Sequence, residues 1–324
     1  MKDVSKRKWT MVNSSYDTSF EARGALSRAD RKRLALRAGL ARAEPFVAVG
    51  AHDAMSARLI DSFGFDAVWV SGFGVSAMAY GLPDLNLITM SETLDVTRRI
   101  DGITELPVVV DCDNGYGGFS NVVRTAVEFD RAGVAAVCIE DNLFPKRNSL
   151  YQGQAYRELV KTSEQARRLR AAKAAQESEH FTLIARVEAL IAGHGVDAAI
   201  ERAGAYAEAG ADAILIHSKD KTLTEIESFL AEWRRTGISV PLVAVPTLFP
   251  DYSSAELAEK GFSMVILANH PMRASVKAMQ ETLERLRPEG RAAAADPHIA
   301  KVDEIFELVH TRETIEAEEQ DELV

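Results

Sequence analysis

What the 324-residue chain has little of narrows it first. It has only two cysteines, Cys112 and Cys138. Each lies inside an apolar run, which excludes a disulfide framework and fits buried thiols of a reducing compartment. No uninterrupted apolar stretch is long enough to span a bilayer, and the N-terminus lacks the apolar core of a secretory leader. A soluble, cytoplasmic protein is expected. Positive charge is in deficit: 48 acidic residues against 38 basic ones leave a formal charge of −10. That balance disfavours nucleic acid and anionic membranes as partners, so an anionic substrate would have to be met by local cations. The glycine cluster Gly115, Gly117 and Gly118 has no third glycine in the register of a dinucleotide loop. It reads as a backbone bend leading into a helix.

What is present is a full-sized core, 47% hydrophobic, arranged as short β-rich runs alternating with longer amphipathic segments. Strands are predicted at Phe46 to Gly50, Ala67 to Ser71, Pro107 to Asp111, Ala136 to Glu140, Thr182 to Val187, Ala213 to His217, Pro241 to Val245 and Ser263 to Leu267. Helical spacing fills the intervals, near Ala54 to Phe63, Ser91 to Asp101, Asn121 to Ala132, Leu159 to Ala175, Val196 to Ala209, Thr222 to Arg235, Ser253 to Lys260 and Pro271 to Leu286. Eight strand-then-helix units in roughly 240 residues fit a closed (β/α)8 TIM barrel better than an open sheet. Glycines at Gly64, Gly133 and Gly210 end helices and hand the chain straight to a strand, as such a barrel needs.

The division expected is an extension with a leading helix at 1–44, the barrel at 45–290, and a linker, helix and acidic tail at 291–324. Residues 1–23 read as a mobile extension, and Ser27 with Asp30 as the cap of the leading helix. Val302, Ile305, Phe306 and Val309 form an apolar stripe after the barrel has closed, and a second subunit is the candidate surface for it to cover.

Chemistry in such a barrel sits at the C-terminal strand ends. Those ends carry Ser71-Gly72, Asp111 and Asp113, Glu140, Arg186 with Glu188, His217-Ser218-Lys219, Thr247, and Asn269-His270. Asp111 and Asp113 point the same way along a strand, and Cys112 the other. If the next strand is a parallel neighbour, Glu140 joins them. Carboxylates gathered so closely repel unless a cation neutralises them, and a hard divalent ion, Mg²⁺, is the economical answer. The bland alternatives stand beside this: a lone strand-end aspartate is more often a helix cap, Arg186 can simply pair with Glu188, and His217 can be a satisfied strand-end histidine.

Asp111-x-Asp113-x-Gly115-Tyr116-Gly117, Glu140-Asp141 leading to Pro145-Lys146-Arg147-Asn148-Ser149, Ala185-Arg186-Val187-Glu188-Ala189 and Ile216-His217-Ser218-Lys219 resemble the phosphoenolpyruvate mutase branch of the isocitrate lyase superfamily. Val49 to Asp53 with Ser56-Ala57-Arg58, Val70-Ser71-Gly72, Val245-Pro246-Thr247 and Ala268-Asn269-His270 with Arg273-Ala274-Ser275 extend the match. The resemblance implies a Mg²⁺-dependent barrel interconverting phosphoenolpyruvate and phosphonopyruvate, a step that makes the C–P bond in phosphonate biosynthesis. It assigns Asp111 to the metal, with Asp113 and Glu140 acting largely through its waters. Ser71 and the Gly72 and Phe73 backbone would take the carboxylate end of the substrate, and Arg186 and His217 its reacting oxygens. Asp84, in Gly81-Leu82-Pro83-Asp84-Leu85-Asn86, matches the aspartate that acts as nucleophile or as neighbour of the phosphoryl group. Lys146, Asn148 and Ser149 would lie on a closing loop, with the C-terminal helix swapped between subunits of a homodimer or homotetramer.

Two positions depart from the family pattern: Asn142 stands where lysine is usual and Asn114 where threonine is usual. The superfamily's C–C lyases carry Lys-Arg-Cys-Gly-His where this chain has Lys146-Arg147-Asn148-Ser149-Leu150, so lyase activity is not expected. The hydrolase branch usually has threonine at the position of Asn148, which favours the mutase. A phosphonopyruvate hydrolase, a carboxyphosphonate mutase and a non-catalytic metabolite-binding barrel are the alternatives.

Overall fold

The structure is a computed structural model describing residues 26–151 and 157–321. The expected mobile extension at 1–23 lies outside the described residues. Eight strands, β1 (Phe46–Ala51), β2 (Ala67–Val70), β3 (Val108–Asp111), β4 (Ala136–Glu140), β5 (Thr182–Val187), β6 (Ala213–Ile216), β7 (Leu242–Ala244) and β8 (Met264–Leu267), pair in parallel in chain order, and β8 pairs with β1 to close the barrel. The strands are rich in Val, Ile and Ala and are buried on both faces, as parallel strands between two packed layers must be. Alternate residues divide between two cores. Ala48, Trp69, Val109, Cys138, Ile184, Leu215, Val243 and Ile266 fill the barrel. Val68, Val110, Ile139, Ala185 and Ile214 face the helical shell, where Phe129, Leu169, Tyr206 and Phe229 meet them.

The helices are α1 (Arg28–Ala41), α2 (Ala54–Ser62), α3 (Gly72–Ala79), α4 (Met90–Gly102), α5 (Phe119–Arg131), α6 (Thr162–Ala175), α7 (Gly195–Glu208), α8 (Thr224–Thr236), α9 (Ser254–Lys260), α10 (His270–Glu289), α11 (Val302–Leu308) and α12 (Thr311–Asp321). Ser27 caps α1 by accepting the Asp30 N–H. Gly64, Gly133 and Gly210 all adopt positive φ, at 76°, 89° and 97°, which lets each turn from helix to strand without a Cβ penalty. α1 closes the N-terminal mouth: Leu36 and Leu40 join the inner core beside Phe46. A Cβ on Gly39 would stand 2.1 Å from the Phe46 ring, so this close approach needs glycine.

The structure adds α3, which helical periodicity does not announce. Its sequence, Gly-Phe-Gly-Val-Ser-Ala-Met-Ala, has two glycines and no polar face. What makes it a helix is the Ser71 cap, whose hydroxyl accepts the Gly74 N–H. Conversely α6 starts at Thr162 rather than Leu159, because Leu159 is held in an antiparallel bridge to Asn142. Among the described residues nothing covers the apolar stripe of α11: Val302 is 66% exposed and Phe306 50%. Among the described residues no helix is long and apolar enough to cross a membrane.

Candidate active site

The C-terminal mouth of the barrel holds a cavity of ≈ 60 Å³. Ser71, Phe73, Asp84, Asp111, Glu140, Lys146, Asn148, Ser149, Arg186 and His217 line it. Of the residues expected from sequence, Gly72 and Asp113 do not line it but sit directly behind. A Cβ on Gly72 would stand 3.2 Å from Asp113 Oδ1 and 3.3 Å from Asp111 Oδ2, so the missing side chain leaves room in front of both carboxylates.

Each side chain arrives there for a local reason. Asp111 and Glu140 are the last residues of β3 and β4, and Arg186 in β5 is in register with Glu140. Strand alternation turns Asp141 outward, where Arg202 Nη1 (2.9 Å) and the Tyr206 hydroxyl (2.8 Å) bond its Oδ2 and the Glu188 N–H its Oδ1 (2.9 Å). That buried clamp fixes the ends of β4 and β5 together. Ser71 to Phe73 form the first turn of α3, whose leading N–H groups have no partner within the helix and suit an anion.

Above the cavity lies a lid formed by residues 143–151, after β4. Asn142, just before it, bridges to Leu159, and its amide donates to Glu140 Oε1 (3.0 Å). The Lys146 ammonium reaches Asp84 Oδ1 at 2.7 Å and also bonds Asp113 Oδ1. The Asn148 amide donates to the other Asp84 oxygen at 2.6 Å. Ser149 donates to Glu188 Oε2 (2.6 Å) and accepts from Arg186 Nη2 (2.8 Å). Arg157 gathers the lid from behind, donating to the carbonyls of Arg147, Asn148 and Tyr151.

The charges here do not balance. Asp84, Asp111, Asp113, Glu140 and Glu188 are all buried, and the cations among them are Lys146 and Arg186. Burial pushes Asp113 up to about 7, against the pull of Lys146, and Glu140 up to about 8, against the pull of Arg186. Glu188 goes the other way: burial alone would raise it, but Arg186 at 2.6 Å, with His217 and Ser149, holds it well below the usual carboxylate range. Lys146 is desolvated too, yet Asp113 and Asp84 keep its ammonium firmly charged.

His217 is lowered by burial and is neutral at pH 7. Its Nδ1 lies 3.0 Å from Arg186 Nη2 and 3.5 Å from Glu188 Oε1. A guanidinium can only donate, so Nδ1 is the acceptor and the proton sits on Nε2. That Nε2–H is buried without a partner on a residue lining the cavity, a donor waiting for an acceptor. Asn269 also lines the cavity and has an unpartnered buried Oδ1.

Among the described residues no three His, Cys, Asp or Glu side chains form a ready-made metal-ligating group. Asp113 bonds Lys146 with one oxygen and Asn86 with the other. The donor set nevertheless fits a hard cation: hard oxygen donors, more buried acids than bases, and two carboxyls whose anionic forms lack compensation.

Two contributors escape sequence reasoning. Trp69 forms part of the cavity wall, and its signal is alternation, since it lies two residues before Ser71 on the inward face of β2. Asn86 lies behind the acid rim; it sits two residues after Asp84 and adopts φ 57°, a conformation asparagine tolerates better than most.

A closed parallel barrel with a small polar cavity at its C-terminal mouth places the chain among the α/β-barrel proteins, whose sites lie at that end of the strands. The chain belongs to the phosphoenolpyruvate phosphomutase family, whose family model matches residues 36–287. It is 40% identical over 258 residues to the phosphoenolpyruvate phosphomutase of Tetrahymena pyriformis, covering 80% of this chain and 84% of that one. It is 41% identical over 278 residues to the phosphonopyruvate hydrolase of Variovorax sp. (strain Pal2), covering 86% and 94%. A solved phosphonopyruvate hydrolase complex with oxalate and Mg²⁺ superposes with a TM-score of 0.82 at 40% identity, covering 90% of this chain and 99% of that one. The mutase and hydrolase relatives are thus equally near, and the family rather than the individual reaction is what these likenesses establish.

Proposed function

We propose that the protein is a phosphoenolpyruvate mutase, moving phosphorus between oxygen and carbon within one three-carbon substrate. The P–O bond of phosphoenolpyruvate breaks with its electron pair left on the enol oxygen. The C–P bond then forms from the carbon–carbon π pair of that enolate as the carbonyl closes, giving phosphonopyruvate. No water and no net proton enter the balance.

The observation that carries this reading is the lid. Asn148 and Lys146 together hold both oxygens of Asp84, and Ser149 ties the lid to the Arg186–Glu188 pair. A lid bonded at three points encloses the reacting group and keeps out the water that would turn isomerisation into hydrolysis. The Cys of the lyase loop is replaced by Asn148, a donor that brings no charge and no acid–base chemistry.

Within that enclosure the first turn of α3, from Ser71 to Phe73, takes the substrate carboxylate. Arg186 and the His217 Nε2–H donate to the reacting oxygens, and Lys146 offsets phosphoryl charge. Asp84 is the anchor beside the phosphoryl group and, by fixing Lys146 and Asn148, the point on which the lid closes. Asp111, with Asp113 and Glu140, would hold a Mg²⁺ that supplies positive charge to the substrate oxygens. Phosphoryl chemistry needs positioning and cations of this kind more than covalent machinery. The uncovered stripe on α11 supports assembly of two or more copies.

Phosphorus NMR of the protein with phosphonopyruvate and Mg²⁺ tests the reading. Phosphoenolpyruvate should appear. Inorganic phosphate with pyruvate would make the protein a hydrolase, and oxalate binding with no turnover would make it a binding barrel.

A further inference from the structure

Asn86 lies outside the cavity wall, yet its carboxamide meets three residues on two other segments of the site. Its Nδ2 donates to Asp113 Oδ2 at 2.9 Å. Its Oδ1 accepts the Lys146 backbone N–H at 2.6 Å and the Asn114 amide at 3.2 Å. Lys146 then returns to the same aspartate, its ammonium bonding Asp113 Oδ1 and Asp84 Oδ1. The lid, the loop after β3 and the loop before α4 are therefore joined in one ring of hydrogen bonds, with Asn86 as the only member gripping the lid by its main chain.

The orientation of the carboxamide is not a matter of choice. A backbone N–H can only donate, so the atom facing Lys146 must be the oxygen, which leaves the nitrogen for the carboxylate. Main-chain capture also differs from the contacts made by the side chains of Lys146, Asn148 and Ser149. Those can re-form after a rotamer change, whereas a bond to a peptide N–H fixes where the lid backbone itself lies.

We infer that Asn86 is the positioning residue that latches the closed lid to the acid rim, so that the Lys146 ammonium and the Asp113 carboxylate are set in place by the same event. The inference rests on reading the cavity as the reacting site, but the latch itself is measurable without turnover. Asn114, one of the two departures from the family pattern, belongs to the same latch as a second donor to Asn86.

The test is limited proteolysis. Arg147 is exposed on the lid, and trypsin can cut after it only when the lid lifts, so the cleavage rate reports the open population. Asn86→Gly removes the side chain while keeping a residue that accepts φ 57° without strain. Wild type and variant are digested with and without Mg²⁺ and oxalate, and the cut is located by mass spectrometry. The glycine variant should be cleaved after Arg147 about tenfold faster, the scale set by losing one to two net hydrogen bonds. Its melting temperature and its cleavage after Arg235, on the exposed end of α8, should stay near wild type. Asn86→Asp keeps an acceptor for the Lys146 N–H but turns a carboxylate toward Asp113 Oδ2, so it too should be cut faster than wild type. Unchanged cleavage after Arg147 in Asn86→Gly overturns the latch. So does a rise shared equally by both sites, or an aspartate variant cut no faster than wild type. If wild type shows no phosphorus chemistry while Asn86→Gly still lifts the lid, the mutase reading fails and the latch stands.

Discussion

The two mouths of the barrel are both lined with buried charge, but they are built on opposite principles. At the N-terminal mouth the cations of α1 are matched to acids at the helix–strand turns. Lys32 pairs with Asp101 at 2.6 Å, Arg33 with Asp130 at 2.7 Å and Arg37 with Asp212 at 3.0 Å, while Arg28 reaches both Asp101 and Glu105. Backbone carbonyls absorb the spare donors, as Val134 and Asp130 do for Arg33. At the C-terminal mouth five buried acids share two cations among the described residues, and the cavity wall adds His217 Nε2 and Asn269 Oδ1, buried without a partner there. Cations paired with acids are what a structural joint looks like. An excess of buried acid around a cavity is the pattern that a bound cation would complete.

If that contrast is right, substitutions at the two mouths should damage different properties. The largest effect is expected at the lid. Asn148→Ala should lower turnover by about a thousandfold, because it removes donors that matter when the lid is down on the reacting group. Mg²⁺ affinity, measured by titration calorimetry, should change far less. Equal losses in both would place Asn148 in the metal site and blur the distinction between lid and acid rim.

The opposite mouth should respond in stability instead. Asp130 accepts from Arg33 and from the Glu177 and Ser178 N–H groups. Asp130→Ala removes one of the two carboxylates on the buried Arg33, Asp30 staying at 3.1 Å, and should cost about 1.5–3 kcal/mol in urea unfolding. Turnover per folded molecule should hold within a factor of about two, since surface and joint changes remote from a site are additive with it. A large loss of turnover in protein that remains folded would show that the N-terminal mouth also shapes the site.

The sequence makes the barrel and its polar rim readable for the same reason. Strands buried on both faces carry unbroken β-branched runs, and a run that stops at Asp111 or Glu140 shows where it meets the open end. What stays hidden depends on distance in space rather than pattern along the chain. Nothing around Asn86 says that its amide will reach Lys146, sixty residues on. Nothing near Asp113 says that its oxygens will bond Lys146 and Asn86. α3 is hidden for a different reason, because its helix is set by one capping serine and not by an amphipathic stripe.

The smallest expected effect is also the one that probes the excess charge most directly. Asp113 titrates near 7 and Glu140 near 8 in the fold, well above the ordinary carboxylate values they regain on unfolding. A raised carboxyl binds its proton more tightly when folded, so its contribution to stability is fully present below the unfolded value and is lost as pH climbs through the folded one. Glu188 is depressed, so its contribution is lost only in acid, below this range. His217, lowered from 6.5, is already neutral on both sides of the unfolding equilibrium above about pH 7. Between about pH 7 and 8.5 the metal-free protein should therefore lose on the order of 1–2 kcal/mol, read as a fall of a few degrees in melting temperature. A cation bound by the deprotonated acids reverses the sign, because it stabilises the forms that the empty site disfavours. The gain in melting temperature on adding Mg²⁺ should consequently grow with pH over the same interval. A metal-free melting temperature flat in pH, or a Mg²⁺ gain that ignores it, would mean that the acids of the C-terminal mouth are as well compensated as those of the other.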